Sequence, residues 1–159
     1  MALFKLKNDY FQEMTTDPEF ERDPQRLYYT VKRLEYKGEK IVVAIPLRSN
    51  INLNFQKTPD EYIATPPSYK TQTHKGNIAG WHITKMIPID FAETITAKNL
   101  NSGLQIAEDI ASKYNKQELI DKAKLMLQRF ENGEKVFGAI DFDAALAKLK
   151  KRQEERKKF

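Results

Sequence analysis

The stretch RLYYTVKRLEYKGEKIVVAIPLRSNI, residues 26–51, decides the fold. Lys37-Gly38 divides it, and a two-residue Xaa-Gly loop between apolar runs is the signature of a tight β-hairpin. In the first arm Tyr28, Thr30, Lys32 and Leu34 alternate with Tyr29, Val31, Arg33 and Glu35, which predicts a strand with one wet face. The second arm, EKIVVAIPL, is apolar almost throughout and predicts a central strand covered on both faces. Pro46 has no amide hydrogen, so pairing is expected to end there, with Arg48-Ser49-Asn50 delivered at the strand exit.

The flanks extend the pattern. ALFKL (2–6) predicts a short edge strand, and NDYFQEM (8–14) a short helix capped by Asn8 or Asp9. TTDPEFERDP (15–24) is a loop punctuated by Pro18 and Pro24. Residues 50–77 form a long irregular connection, a length that in a compact domain usually carries function. GWHITKMIPIDF (80–91) returns to the β pattern. Three helices are then predicted: LQIAEDIASKY (104–114), NKQELIDKAKLMLQRFENG (115–133) with Asn115 and Glu118 as a capping box and Gly133 as its stop, and DFDAALAKLKKRQEERKKF (141–159) capped by Asp141. Leu119, Ala123, Met126, Leu127 and Phe130 form the stripe that should pack on the sheet. Strands first and helices later predict an α+β class in a single domain, residues 1–159.

Composition narrows the chemistry. The 159 residues contain no cysteine, so disulfides, thiolate metal sites and a cysteine nucleophile are excluded. His74 and His82 are the only histidines and lie eight apart, a poor spacing for a metal pair; no metal or cofactor is expected. No apolar run approaches the ~20 residues that span a bilayer, and the N-terminus lacks a signal-peptide pattern, so a soluble cytoplasmic protein is expected. Net charge is +5, from 27 Lys+Arg against 22 Asp+Glu, a mild bias toward polyanionic partners. Part of the excess sits in the tail KKRQEERKKF, a pattern typical of a solvated helix end.

Nucleotide-binding glycine loops and the GxSxG elbow are missing. Catalysis would rest on Arg, Lys, His, Tyr, Ser and Thr, a set suited to metal-independent phosphodiester cleavage. Cutting RNA needs an aligned 2′-hydroxyl, a proton acceptor, a proton donor and positive charge on the transition state. Arg48, Ser49 and Asn50 are the best placed group, although as ordinary surface residues they read as a charge, a turn residue and a cap. His74 and His82 are proton-transfer candidates, with a loop histidine and a satisfied strand histidine as the plain alternatives. Arg26, Thr84, Lys75 and Lys85 complete a basic groove, or else simply lie on solvated surfaces. Tyr10 reads as half-core more readily than catalytic, while Tyr62 and Tyr69 are loop anchors or base-stacking platforms.

The order of these segments resembles the toxin endoribonucleases of type III toxin–antitoxin systems, the ToxN/AbiQ group, and within it the CptN/TenpN branch. KNDYF with Tyr10, DPQRLYYTV with Arg26, the hairpin closing on IPLRSNI and the later GWHITKMIPI carry the resemblance over about residues 3–90. It implies a compact, strongly curved antiparallel sheet or half-barrel, MazF-like, packed with C-terminal helices. The implied activity is metal-independent RNA cleavage leaving a 2′,3′-cyclic phosphate. The implied partners are a repeated RNA pseudoknot antitoxin, which the toxin processes into a closed protein–RNA assembly, and cellular or phage RNA substrates. The implied role is phage defence or plasmid maintenance. By the same resemblance Ser49, Arg48 and Arg26 match the active-site positions and Tyr10 the group's N-terminal tyrosine; the reading built on it makes Ser49, Arg48, Arg26 and His74 catalytic and has Tyr10, Asn50, Thr84, Lys85, His82 and Lys75 contact RNA. Leu53 stands where the CptN-like motif carries a histidine, which makes His74 the substitute and His82 the runner-up. Two other classes compete: a non-catalytic RNA-binding module, and an accessory interaction protein docking through its basic C-terminal helix.

Overall fold

The computed structural model describes residues 3–51, 62–64, 78–96, 116–136 and 138–158. The elements are β1 (Phe4–Leu6), α1 (Asn8–Met14), β2 (Tyr28–Tyr36), β3 (Glu39–Ile51), β4 (Tyr62–Ala64), β5 (Ile78–His82), β6 (Ile87–Ile89), β7 (Thr94–Thr96), α2 (Lys116–Glu131) and α3 (Phe142–Lys157). Single 3-10 turns occupy Ile83–Lys85 and Phe91–Glu93. The helix expected over 104–114 and most of the 50–77 connection lie outside the described residues.

The hairpin forms as its sequence predicts. Tyr36 pairs with Glu39, and Lys37 and Gly38 take φ of 50° and 80°, the doubly left-handed turn that matches strand twist. A Cβ added at Gly38 meets nothing within 4 Å, so Gly38→Ala adds backbone strain alone. It should cost about 1 kcal/mol. A melting experiment should then show a fall of roughly 2–4 °C.

The clean alternation expected for the first arm breaks at Arg33. The β2–β3 register shifts between Val31 and Leu34, and Arg33 takes φ of 61°. One extra residue on β2 reverses the side-chain parity beyond it. Tyr29 and Val31 therefore share a face with Leu34 and Tyr36, while Tyr28 points to the other side.

β3 is the central strand, as its composition predicts, but Pro46 does not end it. Pro46 pairs in register with Tyr28, and the strand runs on to Ile51. The amide of Leu47 donates to the Leu27 carbonyl (2.9 Å), so odd-numbered amides of β3 face β2 and even-numbered ones face the opposite edge. On that edge β6 pairs with residues 42–44 and β5 with residues 47–51, separated by the 3-10 turn Ile83–Lys85. The missing donor of Pro46 faces this interruption in the ladder, where it is tolerated.

The antiparallel sheet runs β4-β5-β3-β2-β1-β7, with β6 beside β3. β1 is not the edge strand its sequence suggested: β7 covers its outer side, with Phe4 opposite Thr96 and Leu6 opposite Thr94. This layout enforces curvature. From β6 across β3, β2 and β1 to β7 is four strand spacings, ~19 Å if flat. The link from Ile89 to Thr94 contains a 3-10 turn and reaches only about 13 Å. The sheet must curl, yet it stays open, since β6 and β7 are not paired with each other.

Both faces are packed. One carries Val31, Leu34, Tyr36, Val43, Ile45, Leu47 and Trp81 against the Leu119, Ala123, Met126, Leu127 and Phe130 stripe of α2, as expected. The other carries Tyr28, Ala44, Ile87 and Ile89 against Tyr10, Phe11 and Met14 of α1 and Ala145 and Leu149 of α3. Gly133 at φ 77° ends α2 in a Schellman motif, with Glu134 N bonded to Arg129 O and Gly133 N to Phe130 O, both 3.0 Å. Asp141 caps α3 by accepting from the Ala144 amide (3.0 Å). α1 differs from expectation: Lys7 stands at its N-cap, and no side chain of Asn8 or Asp9 fills that role.

Candidate active site

The end of β3 is where the fold places the predicted triplet. Arg48 pairs with Gly80 and Ile51 with Ile78, so the register slips by one residue between them. Ser49 and Asn50 together oppose Ala79. That is a β-bulge, a device that breaks pairing and re-aims side chains next to active sites. The backbone of Arg48-Ser49-Asn50 is therefore strand with a local irregularity, rather than the turn read from sequence. The side chains of these three residues, together with His74 and Lys75, lie outside the described residues.

Arg26 is brought to the same place. Its NH1 donates to the carbonyl of Leu47, immediately before Arg48, at 3.4 Å. Its Nε lies 3.4 Å from Glu21 Oε2 and its NH2 3.7 Å from Asp23 Oδ2. The loop between α1 and β2 thus holds the guanidinium against the rim of β3. Lys85 is held by the same loop, donating to the Glu19 carbonyl (2.6 Å) and pairing with Glu19 Oε2 (3.0 Å). Sequence pattern alone assigns no role to Glu19, Glu21 and Asp23. Their signal was the alternation of acids between Pro18 and Pro24.

The remaining candidates are more enclosed than predicted. Thr84 and Lys85 belong to a 3-10 turn rather than to a strand face, and Thr84 is buried. His82 is in β5, opposite Tyr62 of β4, and is also buried. Tyr10 is a core residue. It has no exposed surface, its hydroxyl donates to the Pro88 carbonyl (2.7 Å), and Arg152 lies over its ring at 5.4 Å. Burial and then the charge of Glu93 push its ionisation far above the ordinary tyrosine range. An RNA contact through that ring is unavailable in this arrangement, which agrees with the half-core reading. Tyr28, beside Arg26, is likewise held neutral, by burial first and then by Glu21.

Arg26 lies beside an irregular strand end, and Lys85 is tied to the same loop that holds it. Such a place can hold a phosphate and stabilise charge developing on it. Among the described residues no cluster of three or more His, Cys, Asp or Glu has metal-site geometry. No described helix is long and apolar enough to cross a membrane.

No family model and no curated protein sequence matches this chain. Solved structures do. AbiQ, a lactococcal anti-phage endoribonuclease belonging to the type III toxin–antitoxin system, superposes with a TM-score of 0.73 at 13% identity, covering 96% of this chain and 98% of that one. A protein from a bacterial antiviral system regulated by a processed non-coding RNA gives 0.65 at 16% identity, covering 93% and 96%. A third structure, from bacterial type III toxin–antitoxin work on selective toxin inhibition by a non-coding RNA pseudoknot, gives 0.57 at 17% identity, covering 96% and 98%. Over nearly its whole length this chain resembles proteins of type III toxin–antitoxin systems, and the likeness is one of fold.

Proposed function

We propose that this chain is the toxin of a type III toxin–antitoxin system, an endoribonuclease acting in phage defence or plasmid maintenance. The observation that carries this reading is the β-bulge at Ser49-Asn50, with Arg26 anchored to the carbonyl of Leu47 beside it, on a fold shared with AbiQ. In this reading Ser49 orients the scissile phosphate or 2′-hydroxyl, and Arg48 and Arg26 neutralise the phosphorane-like charge. His74 shuttles the proton, and Asn50, Lys75 and Lys85 line the groove. Cleavage proceeds without metal and leaves a 2′,3′-cyclic phosphate. A repeated RNA pseudoknot, processed by the toxin, inhibits it in a closed assembly.

Purified protein incubated with RNA in EDTA should release fragments ending in cyclic phosphate. Ser49→Ala should slow that release by about 10²–10³, the usual effect of losing one group that stabilises the transition state. Salt-dependent binding without cleavage would instead identify a non-catalytic RNA module.

A further inference from the structure

The loop between α1 and β2 pairs its carboxylates with two of the predicted site cations, Arg26 and Lys85. Arg26 has its Nε 3.4 Å from Glu21 Oε2, its NH2 3.7 Å from Asp23 Oδ2 and its NH1 3.4 Å from the Leu47 carbonyl. Lys85 is fixed twice by Glu19, through the carbonyl and through Oε2. Both cations are largely enclosed, with side-chain exposures of 20% for Arg26 and 16% for Lys85, and Glu21 is only 10% exposed.

These contacts orient the guanidinium without saturating it. An arginine offers five N–H donors in a rigid fork. Three contacts reach Arg26, all at 3.4 Å or beyond, and its buried Nε makes no hydrogen bond. The hydroxyl of Tyr28, two residues on, is also buried without a hydrogen-bond partner. Those two groups are shielded from solvent; the part of the Arg26 fork that stays exposed, 20% of the side chain, is held only by contacts at 3.4 Å and 3.7 Å and keeps donors for an incoming oxygen.

We propose that Glu21 and Glu19 are positioning residues for RNA cleavage: Glu21 sets the fork of Arg26 and Glu19 sets the ammonium of Lys85 toward a phosphate at the bulged end of β3. The proposal rests on the endoribonuclease reading. A carboxylate near a polyanion repels it, so such residues weaken binding while aiding the chemical step. Positioning and binding therefore respond with opposite sign. That separates this role from a merely structural one, in which both properties fall together.

The experiment compares single-turnover cleavage with RNA affinity for wild type, Glu21→Gln and Glu19→Gln, using a 2′-deoxy version of the cleaved RNA as the non-cleavable ligand. Glu21→Gln should slow cleavage by about tenfold or more, as displacement of an aligned group by a fraction of an ångström does. Its affinity should be equal to wild type or up to about threefold tighter, since one repulsive charge near the phosphates is gone. Glu19, whose side chain is half exposed, supplies a variant expected to fold even where Glu21→Gln does not. Glu19→Gln should move both quantities in the same directions by less. Unchanged cleavage, a joint loss of rate and affinity, or faster cleavage with tighter binding would each overturn the proposal. A wild-type protein that does not cleave RNA defeats the endoribonuclease reading itself, and is seen before any variant is made.

Discussion

Arg152→Ala should lower the unfolding free energy by about 3 kcal/mol, the lower end of what removing one partner of an enclosed ion pair costs. The guanidinium joins three parts of the molecule. From α3 its Nε meets Glu93 Oε2 at 2.5 Å, its NH1 meets Glu13 Oε2 at 2.9 Å and its NH2 meets Asp9 Oδ2 at 2.9 Å. Glu93 is only 3% exposed, so it cannot recover its solvation from water when Arg152 is lost. Among the described residues its other charged partner is Arg156, 2.8 Å away. At about 2–4 °C per kcal/mol for a chain of this size, the melting temperature should drop by roughly 10 °C. Glu93→Gln should cost clearly less in the Arg152→Ala background than in wild type; additive losses would disprove the coupling.

The pH dependence follows from the same cluster. The hydrogen bond from Arg152, opposed by burial, leaves Asp9 below its ordinary 3.8. At Asp90 burial pushes upward, but hydrogen bonds from Gln153, the Ala92 amide and Arg156 together bring it below 3.8 as well. Depressed folded-state values stabilise the protein above the unfolded carboxylate pKa, and that contribution is lost as pH falls through the folded values. Stability from these groups should hold down to about pH 5 and decline below about pH 4, less steeply in Arg152→Ala.

These contacts also change what the basic tail can do. Read as sequence, KKRQEERKKF is a solvated end, and its deletion under the nuclease reading should mainly weaken RNA affinity. In the fold, Lys150 pairs with Glu39 (2.6 Å), Gln153 and Arg156 bind Asp90, and Arg152 binds inward. Deleting residues 150–159 removes the ion pairs of Arg152 with α1 and Glu93, so a loss of stability should accompany any effect on RNA. Neutralising exposed Lys151, Lys157 and Lys158 is the cleaner probe of the docking-helix alternative.

Period and punctuation made the main architecture legible. The Lys37-Gly38 turn, the covered second arm, the stripe of α2, the glycine stop at Gly133 and the Asp141 cap each depend on local chemistry that a single segment carries. The irregularities were not legible, because they depend on partners. The bulge at Arg33 and the slip at Ser49-Asn50 arise from pairing between strands. Pro46 continues its strand only because the opposite ladder is interrupted there. β7 becomes a strand by covering β1, although TIT is too short to announce itself. The site was half visible for the same reason. Arg26 and the triplet stood out by position, whereas Glu19 and Glu21 acquire meaning only where the loop returns to the sheet.

Arg26 gives the decisive test of that site. Arg26→Ala should reduce RNA cleavage by about 10²–10³, the effect of removing a fixed donor from a developing anionic charge. Arg26→Lys should not restore it. An ammonium carries the charge, but it cannot contact the Leu47 carbonyl and the Glu21 and Asp23 carboxylates in one plane while presenting further donors to a phosphate. Lysine should therefore preserve much of the salt-dependent affinity, which follows charge, and lose the cleavage rate, which follows geometry. A lysine variant cleaving within about threefold of wild type would mean that charge alone suffices and that the fork has no special part. An alanine variant with normal cleavage but a lowered melting temperature would reduce Arg26 to a strut between the loop and β3. The phosphate site would then have to be built from Arg48 and Lys85 without it.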